Sequence, residues 1–436
     1  MSNRIKSTLQ KNTVKIFNEN SVVIPTIIKI GIFLNLFVTV YAYRGAIDLY
    51  WGYFAYLILM PVFIYRYKIP KNIGLLFGFF FIVGIIKSIG GQNNFLTHFK
   101  VMAGLSASYL FFYYIVVKLN LKVTTLFRFY CKVALIMAFI AIIQMVSHLL
   151  GHPLGIDLVT FFGNSYYFYG GTLGVRIAVF FGEPSYFAMF MSGAVFVAVH
   201  DFIFQQKKFY FKRLTSIILL IGVYFSFSGT IPLTLGISFF LIIYNYGFIR
   251  YGILVIPIAL FGISNVLTSS EDFESRYDGT FNIFIDRPDV TINVHDYHGS
   301  SVVLYNNFHV AIENFKRNPL FGTGIGSHPI AFEKYSLTKN VSLTGFNNNQ
   351  KDANSMFNRL LSETGLFGLL LFGWIIFGHF VKRNEGENHL WLISNACLVI
   401  ILINLGRQGH YFLAGFPFYI WLYYCVWKEN NKIYEK

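Results

Sequence analysis

Charged residues are scarce in this sequence. Asp, Glu, Lys and Arg make up only 13% of the 436 residues, whereas a soluble domain averages about 25%. Hydrophobic residues account for 55% of the chain, and the mean hydropathy is +0.54. This composition excludes an ordinary soluble globular protein, so we expect an integral membrane protein.

Cysteine is almost absent, and several nucleotide-binding motifs are missing altogether. The three cysteines, Cys131, Cys397 and Cys425, all lie in apolar runs without metal-ligand spacing, so we interpret them as packing residues. The sequence contains neither a P-loop nor a dinucleotide fingerprint, and no strand pattern, repeat or low-complexity tract is visible. We therefore expect no cofactor, no metal site and no energy supply from nucleotide hydrolysis.

Apolar runs, in contrast, are abundant and long enough to cross a bilayer. We count about twelve such runs, with the seventh and eighth separated only by the short break at 228–230. The first run lacks a small-residue cleavage pattern, which argues against a signal peptide. The predicted spans lie near 22–43, 48–65, 72–89, 101–118, 126–150, 184–204, 213–228, 230–246, 251–267, 358–381, 389–405 and 410–427.

Lysine and arginine predict the orientation of these spans. If both termini are cytoplasmic, most of the 35 basic residues fall in cytoplasmic segments and few fall in short outer loops. This orientation and attraction to anionic lipid account for the net charge of +15 without nucleic acid as a partner. We therefore expect a multi-pass protein of the inner (cytoplasmic) membrane.

Two outer segments interrupt an otherwise single membrane domain, 1–436. Residues 151–182 are rich in Gly and aromatic residues, as is typical of the membrane interface. Residues 268–353 form a large periplasmic loop between spans nine and ten, and they hold most of the Asp, Glu and His found outside the span ends. Residues 308–317 within this loop have helical spacing, and Pro319 follows as a stop. Long loops of this kind are usually functional, so we expect the chemistry at the outer face.

An arginine and a carboxylate border the sixth span in "RIAVFFGEPSYFAMF", 176–190. Pro184 suits the first position of a helix, which places Glu183 at the N-cap and Arg176 seven residues before it. The two residues could form a structural cap and ion pair at the membrane rim. They could also act in catalysis, since ionisable groups at membrane depth are usually functional. The two roles are compatible.

Two further stretches carry polar candidates. "NPLFGTGIGSH", 318–328, has a glycine string that either approaches a ligand or makes a plain turn, and it ends in His328. "DANSMFNRLLSETGLFG", 352–368, brings Asn354 to the start of span ten, with Arg359 and Glu363 further along. Arg407 and His410 lie in the turn between the last two spans, on the same predicted side as Arg176.

Three motifs in this order resemble the O-antigen polymerase and O-antigen ligase family of bacterial surface-polysaccharide assembly. They are an Arg followed by "FGEPSYFA", then "SRY…NPLFGTGIG" in the long loop, then "NS" nine residues before the Gly of "ETG". With the layout of the spans, the resemblance covers roughly residues 100–427. It implies an all-α, polytopic, GT-C-like glycosyltransferase that uses lipid-linked donors and neither nucleotide sugars nor metal.

The resemblance also implies substrates and roles for individual residues. The partners would be membrane lipids and glycans on undecaprenyl diphosphate, and a chain-length regulator is a further expected partner. Glu183 would act as the base, together with Arg176 in the catalytic site. Arginines bind phosphate oxygens with two parallel hydrogen bonds, so Arg276, Arg287 and Arg407 are expected at the diphosphate, with His328 and Asn354 as further substrate-binding candidates.

The favoured reading is a polymerase, and two alternatives stay open. In the ligase branch a histidine begins the motif where this chain has Asn354, which argues against a ligase that transfers glycan to lipid A core. A flippase or transporter often consists of repeated halves with broken helices, and no such halves are visible here.

Overall fold

The computed structural model describes residues 24–43, 49–152, 173–248, 271–286, 297, 299–338, 349–384 and 389–434. Helices dominate this part of the chain. In order they are α1 (Thr26–Phe37), α2 (Trp51–Tyr67), α3 (Lys71–Ile89), α4 (Phe95–Tyr113), α5 (Val123–Leu149), α6 (Pro184–Ile203), α7 (Arg213–Tyr224), α8 (Thr230–Asn245), α9 (Glu271–Asp286), α10 (Gly299–Arg317), α11 (His328–Tyr335), α12 (Met356–Gly378), α13 (Leu390–Arg407) and α14 (Phe416–Tyr434).

Short irregular elements complete the described structure. A π-helical turn, Tyr114–Lys118, extends α4, and two 3₁₀ turns span Gln205–Lys207 and Leu413–Gly415. The two short antiparallel strands β1 (Tyr41–Tyr43) and β2 (Leu49–Tyr50) pair before α2.

The fold is an all-α polytopic membrane bundle, as predicted. Six helices, namely α3, α4 with its π turn, α5, α6, α12 and α13, are long and apolar enough to cross a membrane, and α1, α7 and α8 are shorter apolar helices. Every predicted span within the described residues contains a helix. The ninth span, 251–267, lies outside the described residues and stays a prediction. The last helix begins at Phe416 and not near 410, because the preceding residues form a turn.

The two most buried spanning helices, α6 and α13, lie at the centre of the bundle. They approach closely because Gly193 on α6 faces α13, where a Cβ would lie 2.7 Å from Ile400 and 3.0 Å from the carbonyl of Ala396. Small residues permit such close packing of helices in lipid. In contrast, only Gly84 of α3 is buried, so α3 lies at the periphery. Cys131, Cys397 and Cys425 are free and buried, as their apolar surroundings predicted.

The described part of the long loop folds into three helices, α9, α10 and α11. The helix predicted at 308–317 is present as α10, although it begins earlier, at Gly299. Ile283, Val302, Tyr305 and Leu337 form a small core of their own that joins α9 to α10. The described part of the loop is therefore a packed unit on one end of the bundle. We call this end of the bundle the loop end.

The segment predicted at the membrane interface, 151–182, is described only at its two ends. Val175, Ile177, Val179 and Phe181 are buried in the main core. Residues 175–181 therefore pack largely against the bundle, and the interfacial assignment of 173–182 stays a prediction. The assignment of 153–172, outside the described residues, stays a prediction.

Candidate functional site

The start of α6 brings a carboxylate to the loop end. Glu183 is the N-cap residue and Pro184 opens the helix, where its lack of an N–H leaves no donor unpaired. The side chain of Glu183 makes no capping hydrogen bond, and instead the hydroxyl of Ser185 donates to its Oε2 at 2.9 Å. The helix thus starts without using this carboxylate as a cap.

The turn between α13 and α14 brings a histidine to the same place. Nε2 of His410 lies 2.8 Å from the Tyr186 hydroxyl and 3.2 Å from Oδ2 of Asp352, which precedes α12. Three elements that are distant in sequence therefore meet at this point. We refer to Glu183, Ser185, Tyr186, Asp352 and His410 as the carboxylate–histidine cluster.

The two carboxyl groups of this cluster have opposite pKa shifts. Burial raises the pKa of Glu183 and outweighs the opposing hydrogen bond of Ser185; the charge of Asp352 raises this pKa further, and the charges of His410 and Arg176 have smaller opposing effects. Burial also disfavours the charged form of Asp352, but the hydrogen bond and charge of His410, together with the Asn354 amide and the charge of Arg359, outweigh it and lower the pKa of Asp352. Glu183 is thus the carboxyl that gains a proton more readily, beside an ionised Asp352.

A strained turn holds Asp352 in position. Ala353 and Asn354 both adopt positive φ, 58° and 53°, and the Asn354 amide donates to Oδ1 of Asp352 at 3.0 Å. Such backbone angles cost of the order of 1–3 kcal/mol for residues other than glycine and are found preferentially at functional sites. The predicted site residue Asn354 therefore touches the cluster through its backbone.

A buried ion pair lies behind the cluster in α12. Nε of Arg359 donates to Oε1 of Glu363 at 3.0 Å, and both side chains are nearly inaccessible to solvent. The guanidinium also donates to the carbonyl of Gly409 at 2.8 Å and lies 4.4 Å over the ring of Tyr411. Arg359 therefore fixes the two neighbours of His410 in the chain.

The glycine string of the loop packs against protein, not against an open cavity. The amide of Gly324 donates to the carbonyl of Glu363 at 2.8 Å, and that of Leu366 donates to the carbonyl of Pro319 at 2.8 Å. At Gly365, with φ 62°, a Cβ would lie 2.6 Å from the Pro319 carbonyl. These glycines permit the close approach of two backbones, so the structure favours the turn interpretation over ligand contact.

His328 follows this segment and is fully buried. Its Nε2 lies 3.0 Å from the side-chain oxygen of Asn307, and its amide donates to Glu363 at 3.4 Å. Burial and the charge of Arg359 lower the pKa of His328 to about 3, so the ring is neutral at ordinary pH. A substrate-binding role for His328 stays a prediction, and in this structure the side chain has no access to solvent.

A large apolar groove leads to the loop end between α8, α12 and α13. Its volume is about 1200 Å³, and its wall includes Pro232, Ile237, Phe372 and Leu402. Polar lining comes from the loop end and includes Thr280, Ser300, Ser301 and Arg407. A smaller cavity of about 330 Å³ shares part of this wall and reaches Ser355 and Asn358.

The predicted arginines occupy different positions around this site. Arg407 ends α13 and lines the groove, three residues before His410. Arg176 donates from Nε to the carbonyl of Ser226 at 3.3 Å, and its charge has the smallest of the effects named above on the Glu183 pKa. Arg276 lies in the first part of α9, 271–277, whose side chains are outside the described part of the structure, and Arg287 lies outside the described residues.

Sequence reasoning did not bring Tyr186, Asp352 and His410 together. Asp352 opens the stretch 352–368 and Tyr186 lies within 176–190, but neither position predicts a contact with His410. A polar cluster assembled from distant turns has no spacing pattern that would reveal it, although the rarity of acidic residues in this chain, 20 in all, singles out each one.

Comparison with known proteins gives one match. Residues 214–373 match a family model described as O-Antigen ligase, which spans α7 to the middle of α12 and includes the glycine string and Asn354. No curated protein and no solved structure matches the chain. The match does not distinguish a polymerase from a ligase. It supports the predicted resemblance: residues 214–373 are similar to the O-antigen ligase family, and this similarity supports a role in the assembly of O-antigen or a related surface polysaccharide.

Proposed function

We propose that the protein polymerises oligosaccharide repeat units carried on undecaprenyl diphosphate into O-antigen or a related surface polysaccharide. The growing chain would move from its carrier to the non-reducing end of a new lipid-linked unit. The reaction would take place at the periplasmic face of the inner membrane, with both termini of the protein in the cytoplasm. The charge distribution of the sequence supports this orientation.

The observation that carries the proposal is the position of the groove relative to the carboxylate–histidine cluster. The apolar wall of the groove suits a polyprenyl chain, and Arg407 lies where the apolar lining gives way to polar residues. His410 follows Arg407 by three residues, which span at most about 10 Å. A carrier with its tail in the groove would therefore bring its diphosphate near Arg407 and its first sugar near the cluster.

The chemistry needs a base for the acceptor and positive charge for the leaving group. In the transfer, the bond between the anomeric carbon and the carrier phosphate oxygen breaks, and a bond to the acceptor oxygen forms. Glu183 would take the proton of the acceptor hydroxyl, a role its raised pKa supports. Arg407 and Arg176, with Arg276 and Arg287 as candidates from the loop, would stabilise the charge that develops on the diphosphate.

Asn354 supports a polymerase over a ligase. The ligase branch of the family has a histidine at the start of this motif, whereas Asn354 contacts Asp352 through its backbone amide. A flippase is a weaker candidate, since the large loop packs on one end of the bundle only and the halves of the chain do not repeat.

Deletion of the gene, followed by electrophoresis of the lipopolysaccharide, tests the proposal. A polymerase mutant should show core carrying one repeat unit and no longer chains, and the gene on a plasmid should restore the ladder. Core without any repeat unit would instead indicate a ligase or a flippase. An unchanged ladder, with surface polysaccharide of normal length, would refute the proposed function.

A further inference from the structure

The two ring nitrogens of His410 have different surroundings. Its Nε2 is held by Asp352 and lies close to the Tyr186 hydroxyl, whereas its Nδ1 has no hydrogen-bond partner among the residues that the structure describes. The side chain is 23% exposed, so the ring is accessible to a bound substrate. A carboxylate that binds one ring nitrogen orients the imidazole and stabilises its protonated form, which leaves the other nitrogen for proton transfer.

Two carboxyl groups lie near this ring. Asp352, before α12, contacts it directly, and Glu183, before α6, lies near enough for the charges of both groups to be coupled. The Tyr186 hydroxyl, from α6, lies 2.8 Å from the same nitrogen that contacts Asp352. From α12 and α13, the cationic groups of this region are Arg359, whose charge is already paired with Glu363, and Arg407, which lines the groove.

We propose that His410 is the general acid of the transfer and donates a proton from Nδ1 to the departing phosphate oxygen, with Asp352 as its positioning residue. This inference rests on the proposed function. Arg407 ends α13 three residues before His410, a stretch that spans at most about 10 Å, so an anion held by Arg407 lies near the ring.

The protons and electrons of the complete cycle balance. The electron pair of the broken bond between carbon and oxygen goes to the phosphate oxygen, which takes the proton of His410. Glu183 receives the proton of the acceptor hydroxyl as the new bond between carbon and oxygen forms. A proton then passes from Glu183 through solvent to His410, so the acceptor proton is in effect transferred to the lipid diphosphate and both residues return to their starting states.

A purely structural role for His410 is the alternative. In that case the ring would only tie the turn after α13 to Asp352 and Tyr186. Chemical rescue separates the two roles, since free imidazole can supply a proton at an enlarged site but cannot restore a hydrogen bond that tethers the chain.

The experiment uses the deletion strain carrying the wild-type gene, an empty vector, His410→Ala, His410→Gln or Glu183→Gln. His152→Ala, at an exposed histidine just after α5, is the matched control. Ladder length and the amount of protein in the membrane are measured with and without imidazole in the medium. We expect His410→Ala to be present at normal levels with elongation reduced at least about 100-fold. Imidazole should restore part of the ladder for His410→Ala and none for Glu183→Gln.

Each outcome decides the question. A full ladder from His410→Ala, or a short ladder that imidazole does not lengthen, would overturn the role of His410 as an acid. If His410→Ala is lost from the membrane, His410→Gln decides, because its amide can still donate to Asp352 but cannot donate a proton to the leaving group. A full ladder from His410→Gln refutes the inference, and a one-unit pattern at normal abundance supports it. A full ladder in the strain with the empty vector refutes the proposed function itself, whatever the variants show.

Discussion

Glu183 and Asp352 lie in one cluster, yet burial and their partners shift their pKa values in opposite directions. Asp352 has a histidine and backbone and side-chain amide donors, including the amide of Asn354, whereas the carboxylate of Glu183 accepts a hydrogen bond from the hydroxyl of Ser185 and from no other side chain in the described part of the structure. Enzymes separate acid and base roles in the same manner, by giving two similar groups different surroundings. At the scale of single residues, therefore, hydrogen-bond partners and not residue type distinguish the candidate base from the positioning residue.

Glu183→Gln should enter the membrane normally and should nearly abolish elongation, because the amide keeps the shape but cannot accept the proton. A general base is worth typically 10²–10⁴-fold in rate, so we expect a one-repeat pattern. Glu183→Asp should retain partial activity. Glu313→Gln, which removes a partly exposed carboxylate paired with Lys316 on α10, is the control and should give a full ladder. A long ladder from Glu183→Gln would leave only a structural role for this residue.

The dependence of elongation on pH should also reflect the role of Glu183 as a base. A base acts only when ionised, and the pKa of Glu183 is raised. Elongation in spheroplasts should therefore decline on acidification at a higher pH than an ordinary surface carboxylate would cause.

Arg407→Lys should shorten the ladder although it keeps the positive charge, because an ammonium group cannot form two parallel hydrogen bonds to a diphosphate. Arg176→Lys should have a similar effect. Arg213→Lys, at the exposed start of α7, is the matched control. The measurement is the length distribution at equal protein abundance, and full ladders from both Arg407→Lys and Arg176→Lys would show that neither arginine clamps the diphosphate.

At the scale of elements, the main feature is the contact between the glycine string and α12. Gly365 has φ 62° and ψ −153° within α12, and the kink it makes leaves the amides of Leu366 and Phe367 to bond to Pro319 and Leu320. A side chain at Gly365 would enforce a strained backbone conformation and collide with the Pro319 carbonyl.

Gly365→Ala should consequently lower the thermal stability of the purified protein and its abundance in the membrane. Strain at such a position costs roughly 1–3 kcal/mol, in addition to the steric conflict. Gly78→Ala on α3 is the control, since no atom lies within 4 Å of the added Cβ and alanine favours the helix. Equal melting temperatures for Gly365→Ala and the wild type would contradict this account of the contact.

The elements themselves could largely be predicted from sequence, because runs of apolar residues and helix-start signals such as Pro184 are local. The break between α7 and α8 and the helix α10 were located in this way. The site could be predicted only in part. Glu183 stands out by its position before a span, whereas the approach of His410 to Asp352 depends on how three distant turns pack, which no local pattern records.

At the scale of the whole molecule, the packed loop and the candidate site lie on one end of the bundle. The orientation of that end is a prediction from the distribution of lysine and arginine. Cysteine labelling can test it in the native background, because Cys131, Cys397 and Cys425 are buried.

Asn282→Cys on α9 should react with an impermeant thiol reagent in intact spheroplasts, since Asn282 is exposed on the loop end. Lys207→Cys, exposed on the connection between α6 and α7, should react only after lysis. The reverse pattern would place the loop in the cytoplasm, where the proposed periplasmic reaction could not occur.

The groove and the cluster have a consequence for the product. Because Arg407 and His410 lie three residues apart, each cycle under the proposed function would form its bond at the same height above the membrane. The polymer already made would extend away from the bundle. Such a protein determines which bond is made but not how often. The average number of repeats would then follow from a competition between elongation of the polymer and its release from the site. A partner protein that keeps the polymer at the site for longer would increase that number.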